Sequence, residues 1–160
     1  MKTLRRFDIR DRYYFVTVVT HERRPILIGS TQMLWECWKY ENPLAWVILP
    51  DHFHMILKID DLSISQVMHN FKITFSRHFR DEHKLKGKIW QNRFWDHIIR
   101  DQNDMNRHID YIHYNPVKHK LINDPFKYEH SSLELFYKEG LYERCWGIKE
   151  ELTFNDNFGE

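Results

Sequence analysis

The sequence predicts an α+β domain, an antiparallel sheet with helices packed on one face. Three features predict it. Residues 13–20, 44–49 and 52–59 are short runs rich in β-branched and aromatic side chains, the composition of strands. Residues 63–83 and 101–115 carry apolar side chains at helical spacing. No repeat, low-complexity tract or Pro/Gly-rich linker divides the 160 residues, so one hydrophobic core is expected.

Residues 13–20 form the first predicted strand. Ser30 can cap a helix to about Tyr40, with Leu34, Trp35 and Trp38 on one side. Residues 44–49 and 52–59 are two further strands, and Pro50-Asp51 marks the turn that would pair them antiparallel. A long helix follows from Ser63 to about His83, with Ile64, Val67, Met68, Phe71, Phe75 and Phe79 as its apolar stripe. Residues 89–99 read as a bent or bulged strand. Asp101 or Asn103 can cap the next helix, whose core direction is set by Met105, Ile109 and Ile112. Pro116 disfavours helical geometry at Asn115, which puts Asn115 at the helix end. A short helix over residues 131–137 precedes an acidic tail. The expected organisation is therefore a domain over residues 1–137 and a tail, 138–160, packed on or beside it.

Net charge is only +1, but it is unevenly placed. Residues 1–24 hold seven Lys/Arg against three Asp/Glu, residues 69–100 eight against three, and residues 131–160 three against seven. Two basic segments suit a polyanion-binding face. The tail either covers that face, because its charge opposes the basic segments, or packs through Trp146 and Phe154. Cys37 and Cys145, far apart and outside any CxxC spacing, exclude a disulfide framework and a cysteine zinc site. No apolar run approaches the ~20 residues of a spanning helix, and no apolar stretch follows the basic start, so the expected compartment is the cytoplasm.

Chemistry concentrates in two places. His52 and His54 lie two apart on a strand and share a face, while Phe53, Met55, Leu57 and Ile59 line the other. A His-x-His pair also arises as two ordinary imidazoles. Here it interrupts an apolar strand, which costs burial unless something uses it. The apolar face opposite holds the register. Tyr111 and Asn115, four apart on a helix, share a second face with His108. Two imidazoles, an amide and a phenol suffice for a metal-assisted tyrosine attack on a phosphodiester. All three candidate ligands are neutral, so a divalent ion would keep its charge for a phosphate oxygen. An amide is a poor zinc ligand, which favours Mg2+ or Mn2+. A phenol with a pKa near 10 needs a cation, base or water path to become a nucleophile.

A third group of residues suits nucleic acid. Trp90, Asn92, Arg93 and Trp95 interleave aromatic and polar side chains, fit for base stacking and phosphate contact or for a partly buried strand. Lys84, Lys86 and Lys88 surround Gly87 in a basic turn. Arg77 and Lys118 complete the expected contact set.

Taken in order, these segments resemble a known family. Pro50-Asp51-His52-Phe53-His54 resembles the histidine–hydrophobic–histidine motif of the HUH endonuclease superfamily. Tyr111-Ile112-x-x-Asn115-Pro116-Val117 resembles the single-tyrosine motif of its transposase branch. Residues 14–20 with 23–27, residues 90–97, and Ser131-Ser132 resemble that branch's first strand, tryptophan-led strand and serine pair. The best match is the REP-associated tyrosine transposases, over residues 5–137. The resemblance implies a ferredoxin-like or RRM-like fold, a divalent ion held by His52, His54 and Asn115, and attack by Tyr111. The products would be a 5′-phosphotyrosine and a free 3′-hydroxyl. It also implies single-stranded hairpin DNA as substrate, action on the bacterial nucleoid, and a monomer in preference to a dimer. The chain departs from the branch in having Asn115 where insertion-sequence relatives usually have Gln. It also has Ile9-Arg10-Asp11-Arg12 in place of a glycine pair.

Two other classes are distinguishable from this metal-dependent endonuclease and strand transferase. A non-catalytic single-stranded nucleic-acid-binding module would explain the aromatics and basic segments but not the paired His and Tyr/Asn stripes. A zinc hydrolase using bound water would survive loss of the Tyr111 hydroxyl but not of His52 or His54.

Overall fold

A computed structural model describes residues 12–160; residues 9–11, and with them most of the segment that replaces the glycine pair, lie outside the described residues. Four strands, β1 (Tyr13–Val19), β2 (Ala45–Ile48), β3 (His52–Lys58) and β4 (Trp95–Ile98), form one antiparallel sheet in the order β2-β3-β1-β4. The helices are α1 (Thr31–Cys37), α2 (Ile64–His83), α3 (Gln102–Lys118) and α4 (Leu133–Lys138). The first six elements run β-α-β-β-α-β, the ferredoxin-like arrangement.

The α+β class and the antiparallel sheet match the sequence reading. The placement of helices on one face describes only α1 and α2. Both pack with Tyr14, Val16, Val18, Phe53, Met55 and Leu57 in one core. On the second face α3, α4 and the tail make another core with Phe15, Val47 and Ile56. This is why Tyr13–Val19 is buried along its whole length. A strand covered on both faces reads as a continuous apolar run, not as an alternation.

Local chemistry sets the helix starts. At α2 Ser63 and Gln66 form a reciprocal capping box, Gln66 N donating to Ser63 Oγ (3.2 Å) and Ser63 N to Gln66 Oε1 (3.0 Å). At α3 Asp104 N donates to Asp101 Oδ1 (2.8 Å). Ser30 makes no such side-chain cap on α1, which ends at Cys37, three residues short of the predicted end. Two further corrections concern later segments. Residues 89–99 do not form one strand: Trp90 makes an isolated bridge to Thr20, and only Trp95–Ile98 pairs with β1. Nor does the helix end at Asn115. α3 runs through Pro116 to Lys118, with His119 N and Leu121 N donating to the carbonyls of Asn115 and Pro116. A proline so near the end interrupts only the last turn of the hydrogen-bond ladder, and the extra turn brings Lys118 onto the Tyr111 side. Among the described residues no helix is long and apolar enough to cross a membrane.

Candidate active site

β3 presents His52 and His54 on the face that α3 covers, and α3 presents Tyr111, Asn115 and Lys118 to β3 at i, i+4 and i+7. The groups meet. The rings of His52 and His54 are 5.0 Å apart and those of His54 and Tyr111 5.3 Å, while Asn115 Nδ2 lies 3.3 Å from His54 Nε2. Lys118 Nζ donates to the Tyr111 hydroxyl at 2.9 Å and stands 4.8 Å from its ring centroid. His108, the third residue of that stripe, turns away: its Nδ1 donates to the Asp104 carbonyl (2.8 Å), and its ring stacks on His97.

Behind the histidines lie partners that sequence spacing does not reveal. His52 Nδ1 is 2.6 Å from Asp51 Oδ1, and His54 Nδ1 is 2.8 Å from Thr17 Oγ. The Thr17 hydroxyl proton goes to the Phe158 carbonyl (2.5 Å), so Thr17 accepts from His54. With both Nδ1 atoms held from behind, both Nε2 atoms point into the site, the arrangement that orients histidines toward a metal. Asn115 Oδ1 is buried without a hydrogen-bond partner among the described residues. Its amide nitrogen faces the histidines, and a half-turn of the amide would exchange the two ends. Two lone pairs and an orphaned amide oxygen fit a cation. Burial pushes the His54 imidazole down to about 4, outweighing the neighbouring Glu160 carboxylate, so the ring is neutral near pH 7. Burial also raises the Tyr111 phenol far above its usual value, and Glu160 raises it further.

Tyr111 is only 1% exposed. Tail residues cover it. The Phe158 ring lies flat on the Tyr111 ring (3.6 Å between centroids, 5° between planes), and Phe154 meets its edge. Gly159 lies against the Trp95 indole, where a Cβ would overlap the Trp95 side chain. Glu160, its side chain 14% exposed, places one carboxylate oxygen 2.8 Å from His54 Nε2, 3.3 Å from His52 Nε2, 2.9 Å from Asn115 Nδ2 and 3.2 Å from His119 Nε2. Its other oxygen pairs with Lys118. Burial would raise this carboxyl, but the contacts to His119, His52 and His54 hold it far below the usual range. The tail therefore bears on the site chiefly through an aromatic stack and one carboxylate. In the sequence this shows only as the tail's acidity and its aromatic residues.

The residues assigned to nucleic acid divide. Trp90 fits the partly buried alternative: at 5% exposure it packs against Phe53, Phe71 and Phe75. The apolar stripe of α2 needed a large partner there. Arg77, Lys88 and Asn92 line a groove of about 560 Å³ with Lys72 and Arg80, beside α2 and so on the sheet face opposite Tyr111. Lys84, Lys86 and Arg93 are exposed. Trp95 pairs with Thr17 in register and shares its face, so it borders the site. Lys118 belongs to the site itself.

Two polar networks hold α3 in place. Asp104 accepts from His97 Nε2 (2.8 Å) and Arg100 N (2.9 Å) and pairs with Arg107. His113, fully buried, bridges Ser132 Oγ (2.8 Å) and the Tyr142 hydroxyl (2.9 Å), which donates to Asp110 (2.8 Å). Burial pushes His113 down to about 3, so it is neutral, one ring nitrogen donating and the other accepting.

Comparison with known proteins agrees with this architecture. The model of a family described as transposase, IS200-like, matches residues 9–115. A Haemophilus influenzae protein named as a REP-associated tyrosine transposase is 30% identical over 171 residues, covering 95% of this chain and 97% of the relative. The REP-associated tyrosine transposase of Escherichia coli K12 is 35% identical over 155 residues, covering 91% of each. A solved structure described as a REP-associated tyrosine transposase bound to a REP hairpin superposes with a TM-score of 0.78 at 31% identity, over 100% of this chain and 98% of that one.

Proposed function

The chain belongs to the IS200-like transposase family and is a DNA-acting enzyme, and from that premise we propose that it cuts and rejoins single-stranded hairpin DNA with Tyr111 as nucleophile. The observation that carries this reading is the convergence of Tyr111, His52, His54 and Asn115, from β3 and α3, on one cluster with Asp51 and Thr17 behind the histidines. A hairpin is the substrate proposed because a relative alike over its whole length is described as bound to one.

In the reaction the Tyr111 oxygen forms a bond to phosphorus and the bond from phosphorus to the 3′-oxygen breaks. The phenol proton is lost to water and the leaving oxygen gains one, giving a 5′-phosphotyrosine and a 3′-hydroxyl. Attack of a 3′-hydroxyl on that linkage rejoins the strand without a nucleotide cofactor. Lys118 holds the phenol oxygen and supplies positive charge beside it. His52, His54 and Asn115 would hold a divalent ion, Mg2+ or Mn2+, which supplies Lewis-acid polarisation of a phosphate oxygen. Trp95, exposed at the rim, is placed to stack on a base. Residues 154–160 must leave before DNA can reach Tyr111.

The test is a labelled hairpin oligonucleotide from the DNA flanking the gene, incubated in Mn2+ and run on a denaturing protein gel. The expected result is a covalent protein–DNA band in wild type that is absent in Tyr111→Phe and in chelator, with hairpin affinity unchanged in the variant. Tight binding without any band or cleavage, in wild type and in a chain shortened after Thr153, would leave a non-catalytic binding module.

A further inference from the structure

The turn after β1 holds two consecutive non-glycine residues in left-handed backbone, Glu22 (φ 55°) and Arg23 (φ 51°). That conformation carries a steric cost and persists where the surroundings impose it, often to present a side chain. Here the turn is tied on two sides. Thr20 N donates to the Asp51 carbonyl (2.9 Å) and Thr20 Oγ to the Arg24 carbonyl (2.8 Å). His21 N donates to the Ile89 carbonyl (2.8 Å), and the Arg24 guanidinium donates to that of Lys88. The turn is thereby fixed both to the start of β3, beside His52, and to the loop that borders the α2 groove.

Arg23 is what this turn presents. Its Nη1 donates to Asp51 Oδ2 (3.2 Å), and Asp51 Oδ1 lies 2.6 Å from His52 Nδ1. Among the described residues Arg23 makes no other side-chain hydrogen bond, and 45% of its side chain is exposed. A guanidinium anchored at one corner keeps its other N–H groups in a fixed fork, which matches the oxygens of a phosphate. Asp51 meets the Nδ1 side of the His52 ring, whereas Glu160, which pairs with Lys118, meets the Nε2 side. Arg23 and Lys118 therefore stand as two cations on opposite sides of that ring. Resting on the reading that single-stranded DNA passes Tyr111, we infer that Arg23 binds a backbone phosphate of the strand flanking the scissile bond. Lys118 and Arg23 then hold the strand at two points and fix which phosphate faces the phenol. A contact of this kind sets register and reads no base.

The rival account is that Arg23 only braces Asp51. The test compares two labelled probes on the full chain, a bare hairpin and the same hairpin with single-stranded flanks, over a range of salt. Arg23→Ala should bind the flanked probe about tenfold more weakly and the bare hairpin within about twofold of wild type. For the flanked probe, the slope of log affinity against log salt should become shallower by about 0.7, one single-strand phosphate. Arg23→Gly, which accepts the left-handed backbone without cost, should repeat both results. Arg23→Lys should restore the slope and only part of the affinity, having the charge without the fork. Equal binding of the two probes by wild type, or an unchanged slope in Arg23→Ala and Arg23→Gly, overturns the inference. Covalent adduct on the flanked probe is scored in the same samples, so the two readings fail separately. Adduct in wild type with an unchanged slope leaves the Tyr111 chemistry standing without Arg23. A shallower slope with no adduct in wild type keeps the phosphate contact and removes the chemistry.

Discussion

On one face of the sheet, α1 and α2 bury Phe53, Phe71, Phe75 and Trp90 in a core made almost wholly of apolar contacts. On the other, α3 and the tail bury histidine, amide and phenol groups among hydrogen bonds, His52, His54, His113, Asn115 and Tyr111 among them. The first face stabilises by area removed from water, to which any well-fitting apolar side chain contributes. The second buries polar groups that must each find a partner; among the described residues Asn115 Oδ1 there, and Trp90 Nε1 on the first face, have none. The expectation is that the first core can be repacked without touching the proposed chemistry and that the second cannot.

The sharpest way to break this contrast is Phe71→Ala. It should cost about 3–5 kcal/mol of stability by cavity formation, read in urea melts, while the folded fraction still forms covalent adduct at the wild-type rate. A lost adduct at full folding would mean the two faces are coupled. Next in size is Gly159→Val, which touches neither the nucleophile nor a proposed ligand of the open site. Unseating Phe158 from Tyr111 should raise the initial rate of adduct formation about tenfold by gel assay, and an unchanged rate would mean the tail does not limit access.

Smaller, and confined to the polar face, is the acid limb. Burial alone would raise the Asp104 carboxyl, but His97 and the Arg100 N–H outweigh it and hold it at about 2 against a usual 3.8. A depressed folded pKa contributes stability that is fully present above about pH 4 and is lost as pH falls toward 2. Asp104→Asn should therefore lower stability by about 2 kcal/mol at neutral pH and flatten the profile between pH 4 and 2. A parallel profile would assign acid sensitivity elsewhere.

Legibility follows the same division. The apolar stripe of α2, the pairing of β2 with β3, and the shared faces of His52 with His54 and Tyr111 with Asn115 follow from periods of two and 3.6, which are local. Trp90 stays ambiguous in the sequence because an aromatic in a polar run looks alike whether it meets a base or a Phe71–Phe75 surface; only the partner distinguishes them. Thr17, His119 and Glu160 carry no pattern of their own, since each acts through a residue distant in the chain; Asp51 precedes His52, but only the fold turns its carboxylate to that ring.

The sequence alone therefore determined the class of the domain, the strand that carries the histidines, the helix that carries the tyrosine and, by resemblance, the family. Those depend on short-range periodicity and on ordered motifs. The tertiary structure decided that helices cover both faces, that α3 continues past Pro116 to bring Lys118 to the phenol, and that Phe158 and Glu160 close the site. The first and the last of these are contacts between segments far apart in the chain. Such contacts are selected by complementarity of shape and charge in three dimensions, which no window of sequence contains.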